Sequence, residues 1–465
     1  MYGRTHRIHF IGIGGSGMSG LAEVLLNMGY SVAGSDLKSS EVTDRIVALG
    51  GRVFTGHAAS NVEGAQVVVY SSAVAPENPE MVAARSAGVP VIARADMLAE
   101  LMRMKYGVAV GGSHGKTTTT SMVASVLSRG GMDPTIVVGG RLRALGSNAK
   151  LGHGRFLVAE ADESDGSFLR LAPAVTVITN IDREHLDHYA DLEEIRQAFV
   201  YFANRVPFYG VSVLCVDDEH VRQILPQIAK RTLLYGTRPE AEVRAANVQL
   251  LPEGSRFDVV AAGQTLGSVF LHVPGRHNVL NSLAAVAVGL ELEIAVAHIS
   301  EALDSFRGVG RRFELRGEAR GVRVVDDYGH HPTEVAATLG AARQQGGRVL
   351  VVFQPHRYSR TDALREEFGR CFGDADHVWV LDVYAAGEAP IPGVTGRTVV
   401  EAAHLQGATH VEFAAGMAEA ARAAAAAARE GDVIITLGAG DISRLGDEIL
   451  GHLRAPAGAT GGSRA

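Results

Sequence analysis

Cysteine and tryptophan are scarce in this 465-residue sequence, which has two cysteines, Cys215 and Cys371, and a single tryptophan. The two cysteines lie far apart and have neither CxxC spacing nor neighbouring histidine pairs, so they do not indicate a zinc site. We expect both thiols to be buried and reduced, as is usual for proteins of the cytosol.

Long apolar runs and an excess of positive charge are also missing. No run approaches the roughly 18 to 20 residues of a membrane helix, and the segment Met1 to Phe10 is too polar for a signal peptide. The 44 basic and 51 acidic residues give a net charge of −7, which argues against a general nucleic-acid surface. We therefore expect a soluble, cytoplasmic protein without nucleic-acid or membrane partners, while its oligomeric state stays open.

Glycine, in contrast, is plentiful and forms two phosphate-binding patterns. The first pattern is the GxGxxG of Gly12 to Gly17, which follows a predicted strand over Arg7–Ile13 and precedes a predicted helix over Met18–Met28. Asp36 ends the next predicted strand, where dinucleotide-binding folds place a ribose-binding acid. The pattern alone does not separate a nicotinamide dinucleotide from a UDP-sugar, because either diphosphate can lie on a helix N-terminus.

The second pattern lies in residues 107–121, GVAVGGSHGKTTTTS, where an apolar strand meets a glycine turn and then a helix. Glycines let the backbone amides point inward, Lys116 supplies a charge for the β- and γ-phosphates, and Thr117 offers a hydroxyl to Mg²⁺. The spacing is one residue shorter than in the usual P-loop, since three residues separate Gly111 from Gly115. We interpret the segment as an ATP-binding loop.

Polar clusters follow two predicted strands beyond this loop. Glu160 follows the strand Arg155–Ala159, and His185 lies in the cluster after the strand Ala174–Thr179. Because the carboxyl ends of parallel strands converge, both residues are candidates to hold magnesium beside the γ-phosphate. Hard cations prefer oxygen, so Glu160 is the stronger candidate. The remaining charged residues of these clusters are expected to be solvated or to cap helices: Glu163, Asp165, Asp187 and His188.

Two further pairs of polar residues have an ordinary structural alternative. Ser71 and Ser72 follow a predicted strand at a sheet edge where ligands bind, but equally suit a turn or a helix cap. Asn278 and Asn281 share a face of a long apolar helix, and the alternative for them is an N-cap and a surface amide. Antiparallel hairpins are predicted within Arg231–His272.

Two phosphate-binding turns suggest two phosphorylated substrates, and a dehydrogenase has no use for the second. ATP, magnesium and a second phosphorylated ligand are consistent with carboxylate activation, in which the γ-phosphoryl group passes to a carboxylate and an amine attacks the acyl phosphate. Lys116 and magnesium would offset the charge of the transferring group, and Arg311 or Arg312 could complete the clamp. This chemistry requires no side-chain nucleophile.

Nine motifs together resemble the Mur ligase family and follow the family's order over nearly the whole chain. They are GIGGSGMSGLAE (12–23), SHGKTTTT (113–120), EADESDGSF (160–168), NIDREHLDHY (180–189), PGRHNVLNSLAA (274–285), GVGRRFE (308–314), DDYGHHPTE (326–334), FQPHRYSRT (353–361) and TLGAGDI (436–442). Such a set is far more specific than any single motif.

The resemblance implies an α/β fold of three domains. These are a Rossmann-like N-terminal domain for the UDP-sugar at 1–104, a central P-loop ATPase-like domain with antiparallel hairpins for ATP at 105–313, and a Rossmann-like C-terminal domain for the amino acid at 314–465. The small and polar residues 455–465 are expected to be a disordered tail.

The resemblance also implies the reaction. An ATP- and Mg²⁺-dependent ligase of this kind joins L-alanine to the carboxylate of UDP-N-acetylmuramate, a cytoplasmic step of peptidoglycan synthesis that serves cell shape and division. The nearest alternative is the related ligase that adds a ready-made tripeptide to the same UDP-sugar, although HRYSRT and a compact third domain favour a single amino acid. Folate polyglutamate ligases share the central motifs but do not need the UDP grip. Other classes are an ATP-controlled sensor of UDP-sugars and a nicotinamide-dependent oxidoreductase.

Residue roles follow from the same match. The implied catalytic residues are Lys116, Glu160, His185 and Arg312, and the implied metal ligands are Thr117, Glu160 and His185. The implied ATP-binding residues are Gly111, Gly112, Ser113, His114, Gly115, Lys116, Thr117, Thr118, Asn278, Asn281, Arg312 and Asp327. The implied UDP-sugar residues are Gly14, Gly15, Ser16, Gly17, Asp36, Ser71 and Ser72, and those on the amino-acid side are His330, Arg357 and Arg360.

Two details of the match concern neighbouring residues. Arg312 is preferred to Arg311 because it fits the family's Arg-x-Glu pattern with Glu314. The family often has aspartate immediately before the metal-site histidine, whereas this chain has Glu184. Since a longer carboxylate could shift the surrounding hydrogen bonds, Glu184 is left out of the expected site.

Overall fold

The computed structural model describes residues 6–71, 73–142 and 147–455. The chain divides into two compact units, which are described separately. The first unit comprises Met1–Asn247, Phe257–Val269 and Leu280–Val309, and the second comprises Val248–Arg256, Phe270–Val279 and Gly310–Ala465. Except for Ala455, the predicted tail lies outside the described residues. Three sheets flanked by helices confirm the predicted α/β class.

The first sheet is parallel and has the strand order β3-β2-β1-β4-β5. Its strands are β1 Arg7–Ile11, β2 Ser31–Asp36, β3 Arg52–Thr55, β4 Val67–Tyr70 and β5 Val91–Ala93, and its helices are α1 Ser16–Asn27, α2 Glu41–Ala48, α3 Pro79–Ser86 and α4 Arg94–Arg103. The chain leaves β1 for β2 on one side and later returns to β4 on the other, so the GxGxxG turn after β1 lies at the point where the strand order reverses. Ligands of open α/β sheets bind at such a point.

The second sheet has ten strands in the order β15-β14-β13-β12-β11-β10-β6-β9-β7-β8. They are β6 Tyr106–Gly111, β7 Thr135–Leu142, β8 Ser147–Lys150, β9 Phe156–Glu160, β10 Val175–Ile178, β11 Val211–Cys215, β12 Thr232–Gly236, β13 Val243–Leu251, β14 Gly254–Ala261 and β15 Gln264–Leu271. The accompanying helices are α5 Lys116–Arg129, α6 Leu192–Ala203, α7 Glu219–Ile224, α8 Arg276–Glu291 and α9 Val296–Asp304. The region in which hairpins were predicted therefore extends the edge of the same sheet.

Strand β6 is central to that sheet because it pairs in parallel with β10 on one side and β9 on the other. Its residues Val108, Ala109 and Val110 are fully buried, which is the pattern of a strand covered on both faces. The turns after β6, β9 and β10 consequently lie at one edge of the sheet. The ends of these strands, the turns after them and the start of α5 contain the predicted metal residues and the predicted ATP residues of 111–118.

The third sheet has the order β16-β17-β21-β18-β19-β20, and only β16 pairs in an antiparallel direction among the pairs described. Its strands are β16 Glu314–Ala319, β17 Val322–Asp327, β18 Val349–Phe353, β19 His377–Val380, β20 Val411–Phe413 and β21 Val433–Leu437. Its helices are α10 Pro332–Arg343, α11 Tyr358–Ala363, α12 Arg365–Arg370, α13 Gly396–Leu405, α14 Met417–Ala427 and α15 Leu445–Arg454. Two apolar clusters, one with α10, α12 and α13 and the other with α14 and α15, bury the sheet.

Both cysteines are free and buried, as predicted. Burial raises the pKa of the Cys215 thiol to about 12, so this thiol stays protonated at neutral pH. Among the helices in the described part of the chain, none combines the length and the apolar character needed to cross a membrane.

Candidate active site

The loop between β6 and α5 is fastened to the segment that follows β10. The Thr179 hydroxyl donates to the carbonyl oxygen of His114 at 2.6 Å, and Asn180 Oδ1 accepts from the His114 amide at 2.8 Å. Ser113 Oγ accepts from the amide of Asp182 at 2.8 Å. Partners some 65 to 70 positions away in sequence therefore hold the loop backbone in place. Such a preorganised loop is what phosphate binding requires.

Two glycines of the loop have backbones that a side chain would disturb. Gly112 has φ +129° and Gly115 has φ +80°, both in the region that favours glycine. A Cβ on Gly112 would lie 2.1 Å from Thr179 Oγ1, and one on Gly115 would lie 2.5 Å from Asn281 Oδ1. The packing of the loop thus requires glycine at both positions.

Lys116, the first residue of α5, turns its side chain back across the loop. Its Nζ donates to the carbonyl oxygens of Gly112 at 2.8 Å and Ser113 at 3.1 Å, and to Glu163 Oε1 at 2.7 Å. Burial alone would lower the pKa of Lys116, but neighbouring carboxylates, Glu163 foremost, raise it above its ordinary value. Lys116 is therefore positively charged within the loop.

Glu163 and Glu184 surround His185 and form a compact cluster. His185 Nε2 lies 3.4 Å from Glu163 and 3.7 Å from Glu184, and the three residues offer ligand atoms within 4.8 Å of one another. Burial would lower the pKa of His185, but the two carboxylates raise it. Glu163 is 1% exposed, so the prediction that it is solvated was wrong, because its partner Lys116 lies 47 positions away. Glu184, which was left out of the expected site, is also buried.

Other predicted ATP and metal residues lie on the elements around this cluster. Glu160 is the last residue of β9 and pairs with Val110 of β6, which places it at the edge of the sheet where the loop begins. Thr117 is the second residue of α5, and Thr118, the next residue, is buried. These predicted residues therefore lie at the edge of the sheet where the loop begins.

The two asparagines of α8 are buried, so the alternative of an N-cap and a surface amide was wrong. Asn278 lies inside the helix and its Nδ2 donates to the carbonyl oxygen of Pro274 at 2.7 Å. Asn281 Oδ1 accepts from the Thr119 hydroxyl of α5 at 3.1 Å. Asn281 thereby connects α8 to α5, the helix that follows the phosphate loop.

The first glycine turn is held by the acid that was predicted to bind ribose. The amide of Gly14 donates to Asp36 Oδ2 at 2.9 Å, so the carboxylate lies beside the turn. Gly15 caps α1 without a side-chain hydrogen bond, and α1 has no acidic residue in its first turn. Ser71 follows β4 at the same sheet edge, while Ser72 lies outside the described residues. The backbone of Ser16 begins α1, but its side chain is not described.

Arg94 is a residue near this turn that sequence reasoning missed. It begins α4 directly after β5, and its guanidinium lies so close to Gly17 that a Cβ there would be 2.8 Å from it. The same guanidinium lies 3.6 Å from Asp162, which follows Glu160 in the chain by two positions. A basic residue at the end of a strand was the only signal available for Arg94.

In the second unit, Arg311 and Arg312, the two candidates for the phosphate clamp, have different contacts. Arg311 is tied to the sheet, with its guanidinium 3.3 Å from Asp326 and donating to the carbonyl oxygen of Gly438 at 2.7 Å. Arg312 instead lies 3.3 Å from Glu334. Both guanidinium groups lie over the ring of Tyr328, at 4.9 Å for Arg311 and 5.2 Å for Arg312. The adjacent arginines therefore have different carboxylate partners, and Arg311 has a positive φ of 58°.

Asp327 ends β17 and is almost completely buried. Its carboxylate accepts from the amides of Phe313 and Gly329, each at 2.7 Å, and from the hydroxyl of Thr338 at 3.2 Å. Burial raises the pKa of Asp327 despite the nearby charge of Arg312. The carboxylate is therefore part of a fixed hydrogen-bonded turn.

The residues predicted for the amino-acid side lie together around His356, which sequence reasoning did not single out. The rings of His330 and His356 are 5.5 Å apart, and the Arg360 guanidinium lies 3.3 Å from His356 Nδ1. Burial, together with His330 and nearby arginines, lowers the pKa of His356 to about 3. Arg357, the N-cap residue immediately before α11, has φ +70° and lies 3.9 Å from Glu388. The side chains therefore form a largely basic group beside two carboxylates, those of Glu388 and of Glu334, which lies 3.4 Å from His330 Nδ1.

A cavity of about 880 Å³ lies elsewhere in the first unit. It is lined by Tyr106, Arg155 and Ala174, which lie at the amino ends of β6, β9 and β10. The phosphate loop lies at the carboxyl end of β6, so this cavity is not part of the candidate site.

A glycine loop between parallel strands and a helix, a buried carboxylate–histidine cluster beside it and a second glycine turn are typical of α/β proteins that bind nucleotides. Models of the Mur ligase family match most of the chain. The descriptions are "Mur ligase family, catalytic domain" for residues 7–106, "Mur ligase middle domain" for 110–289 and "Mur ligase, glutamate ligase domain" for 311–440.

Relatives agree with these matches over the full length. The chain is 55% identical over 456 residues to the UDP-N-acetylmuramate–L-alanine ligase of Solibacter usitatus, covering 98% of this chain and 97% of the relative. It is 55% identical over 452 residues to the ligase of the same name from Desulfosudis oleivorans, covering 97% and 99%. The protein belongs to the Mur ligase family, which confirms the resemblance found in the sequence.

Solved structures are similar as well. A crystal structure of the UDP-N-acetylmuramate-alanine ligase of Thermotoga maritima matches with a TM-score of 0.79 at 30% identity, covering 96% of this chain and 98% of that one. A murein peptide ligase from Psychrobacter arcticus matches with a TM-score of 0.69 at 21% identity, covering 97% and 99%. At that identity the second likeness supports the three-domain α/β fold and nothing further.

Proposed function

We propose that the protein joins L-alanine to the carboxylate of UDP-N-acetylmuramate at the expense of ATP, as the names of its relatives indicate for them. The observation that carries the proposal is the position of Lys116, which lies in a preorganised phosphate loop and contacts the cluster of Glu163 and His185. A charged lysine beside carboxylates at the end of parallel strands suits a nucleotide triphosphate and its metal. The reaction is a step of peptidoglycan synthesis, which we place in the cytoplasm.

The proposed chemistry has two steps. The carboxylate of the UDP-sugar takes the γ-phosphoryl group of ATP, which gives an acyl phosphate and ADP. The amine of L-alanine then attacks the acyl carbon, inorganic phosphate leaves, and the amine loses a proton. Lys116 and Arg312 offset the charge of the transferring phosphoryl group. The chain itself forms no covalent intermediate.

We assign Thr117, Glu160 and His185 to magnesium, and the buried cluster extends this set by Glu163 and Glu184. Carboxylate oxygens suit a hard cation. In addition, Glu163 Oε2 is buried and has no hydrogen-bond partner among the described residues, which supports a metal there. A bound magnesium ion would neutralise negative charge on the transferring phosphoryl group.

The remaining assignments keep the division into segments 1–104, 105–313 and 314–465. We assign the first glycine turn, with Gly14, Gly17 and Asp36, to the UDP-sugar. We assign His330, Arg357 and Arg360 to the amino-acid side. The Arg94 guanidinium lies against Gly17, in the first turn of α1. Its charge and the partial positive charge of the helix N-terminus together support an anion at the first glycine turn.

Measurement of ADP release tests the proposal. Release should require UDP-N-acetylmuramate and L-alanine together, with MgCl2 present. ADP formation at the same rate without the amino acid would contradict ligation. Tripeptide as the better acceptor would instead indicate the recycling ligase, and glycine and L-serine in parallel reactions would define the preference for L-alanine.

A further inference from the structure

All three hydrogens of the Lys116 ammonium group are already engaged. A lysine ammonium has three donors and no acceptor. The acceptors in the structure are the carbonyl oxygens of Gly112 and Ser113 and the Oε1 of Glu163, at 2.8, 3.1 and 2.7 Å. A phosphate oxygen can therefore accept a hydrogen bond from Lys116 only when one of these three bonds is broken.

Of the three hydrogen bonds of Lys116, the one to Glu163 is the bond that an arriving phosphate would weaken most. The two carbonyls belong to the loop itself, whereas Glu163 carries a negative charge that would repel a phosphate bonded to the same ammonium. The Glu163 side chain is 2% exposed, so water does little to compensate its charge. Removing one partner of a buried ion pair is strongly destabilising. Lys116 can leave Glu163 at low cost only if another cation takes its place.

The surroundings of Glu163 suit such a replacement. Its Oε2 is a buried atom without a hydrogen-bond partner among the described residues. His185 Nε2 lies 3.4 Å from Glu163 Oε1, the oxygen that also accepts from Lys116, and 3.7 Å from Glu184. These three residues could hold one divalent cation, because their ligand atoms lie within 4.8 Å of one another.

The backbone of Glu163 is held in place while the lysine is on a flexible stem. The Tyr189 hydroxyl donates to the carbonyl oxygen of Glu163 at 2.7 Å, and the amide of Gly166 donates to the same oxygen at 3.0 Å. Lysine, in contrast, has four carbons in a freely rotating chain. An exchange of partners at Glu163 therefore requires movement of Lys116 rather than of the loop that contains Glu163.

We propose that Glu163 exchanges the ammonium of Lys116 for the divalent cation when ATP binds. Glu163 is then a positioning residue that couples nucleotide affinity to metal affinity, and this role rests on the function proposed above. Lys116 is released toward the phosphates only as the cation arrives at Glu163. Couplings between sites are typically about 5- to 150-fold in affinity.

The first test measures ATP binding by calorimetry without UDP-sugar or amino acid, so that no turnover occurs. The dissociation constant is determined with MgCl2 and with EDTA for the wild type, Glu163→Gln and Asp165→Asn. Asp165 is exposed on the same loop and its carboxylate accepts from the amide of Ser167, so the control removes an equal charge away from Lys116. The affinity of ATP itself for magnesium is common to all three proteins and cancels.

The expected result is that Glu163→Gln lowers the magnesium enhancement of ATP affinity by about fivefold or more, whereas Asp165→Asn leaves it unchanged. Equal magnesium enhancement in the wild type and Glu163→Gln would overturn the exchange. A purely structural role of Glu163 would lower the ATP affinity by the same factor with MgCl2 and with EDTA, and so would leave the enhancement equal. Failure of the wild type to bind ATP with magnesium would instead overturn the proposed function.

A second test does not depend on the folding of a Glu163 variant. Lys116→Met removes the competing ammonium, so Mn²⁺ alone, without nucleotide, should bind this variant more tightly than it binds the wild type. Electron paramagnetic resonance of free Mn²⁺ gives both affinities, and a gain of about tenfold is expected. Unchanged Mn²⁺ affinity in Lys116→Met would contradict the exchange.

Discussion

Asn281 on α8 and Thr119 on α5 are hydrogen-bonded at 3.1 Å, although 162 positions separate them in the sequence. The acceptor, Asn281 Oδ1, is also the atom nearest to the position that a Cβ on Gly115 would occupy. Asn281 Oδ1 therefore has two effects. It holds α5 by a hydrogen bond, and it leaves no room for a side chain at Gly115, whose backbone is left-handed.

Gly115→Ala should weaken ATP binding by about tenfold or more. The substitution combines a strain of about 1–2 kcal/mol for a positive φ with a contact of 2.5 Å to Asn281 Oδ1. Calorimetric titration with ATP and magnesium measures the effect. Gly131→Ala is the matched control, because Gly131 has φ +76° but open space around the added Cβ. This control should lose stability and keep its ATP affinity; equal losses of affinity would contradict a specific role of Asn281.

Lys116→Ala and Glu160→Ala should each abolish measurable ligation, with a loss of at least about 100-fold in the rate of ADP release. The binding of UDP-N-acetylmuramate, measured by calorimetry, should survive in both variants because the first glycine turn is untouched. Lys150→Ala is the control, since Lys150 forms a half-exposed ion pair with Asp133. Retained turnover in both Lys116→Ala and Glu160→Ala would disprove the site assignment.

The neighbouring arginines should respond differently to substitution. Arg312→Ala should lower kcat by about 1000-fold with little change in stability, as expected for a cation that serves a transferring phosphoryl group. Arg311→Ala should lower the free energy of unfolding by about 1–3 kcal/mol, because it leaves the carboxylate of Asp326, which is 1% exposed, without its arginine. Urea unfolding and single-turnover kinetics of both variants separate the two effects. The reverse pattern would exchange the roles.

Stability should fall in acid partly because of His277. Burial, followed by the charge of Arg312, lowers the pKa of His277 from 6.5 to about 4. Below pH 6.5 the unfolded chain binds a proton that the folded chain does not take up until about pH 4, so stability decreases as the pH falls through this interval. The largest difference is about 3 kcal/mol.

Urea midpoints of the wild type and His277→Gln between pH 7 and pH 4 measure this contribution. The variant should show a shallower decline of stability over that interval, while half-buried His356, whose pKa is also lowered, contributes equally to both proteins. Parallel pH profiles would show that His277 does not contribute the expected proton linkage.

The glycine turns and the strand ends were predictable because they are local features. The turn after β1 and the loop before α5 each need glycines, a preceding apolar strand and a following helix, all within about fifteen residues of sequence. The same holds for Glu160 and Asp327, since each closes a strand and the ends of parallel strands meet at one edge. The family resemblance, based on nine such segments, was confirmed by the relatives.

Burial of charge was not predictable in this way. The residue type of Glu163 and its position after a strand suit a solvated turn. Its burial depends on Lys116 and His185, which come from two other segments. Arg94 and His356 were not predicted for the same reason, because the role of a basic residue depends on the groups that contact it in the folded protein. The surroundings of Asn281 likewise come from a helix more than 150 positions earlier in the chain.

The sequence by itself therefore determined the class of the fold, the family and the strand ends that carry the candidate site residues, because each depends on short-range patterns of glycine, apolar and polar residues. Only the tertiary structure decided which charges are paired. It placed all three hydrogens of Lys116 on acceptors and set Glu163 between the ammonium and His185. The physical reason is that an ion pair in a buried site depends on the distance between groups that the chain brings together from far apart, and no local pattern records that distance.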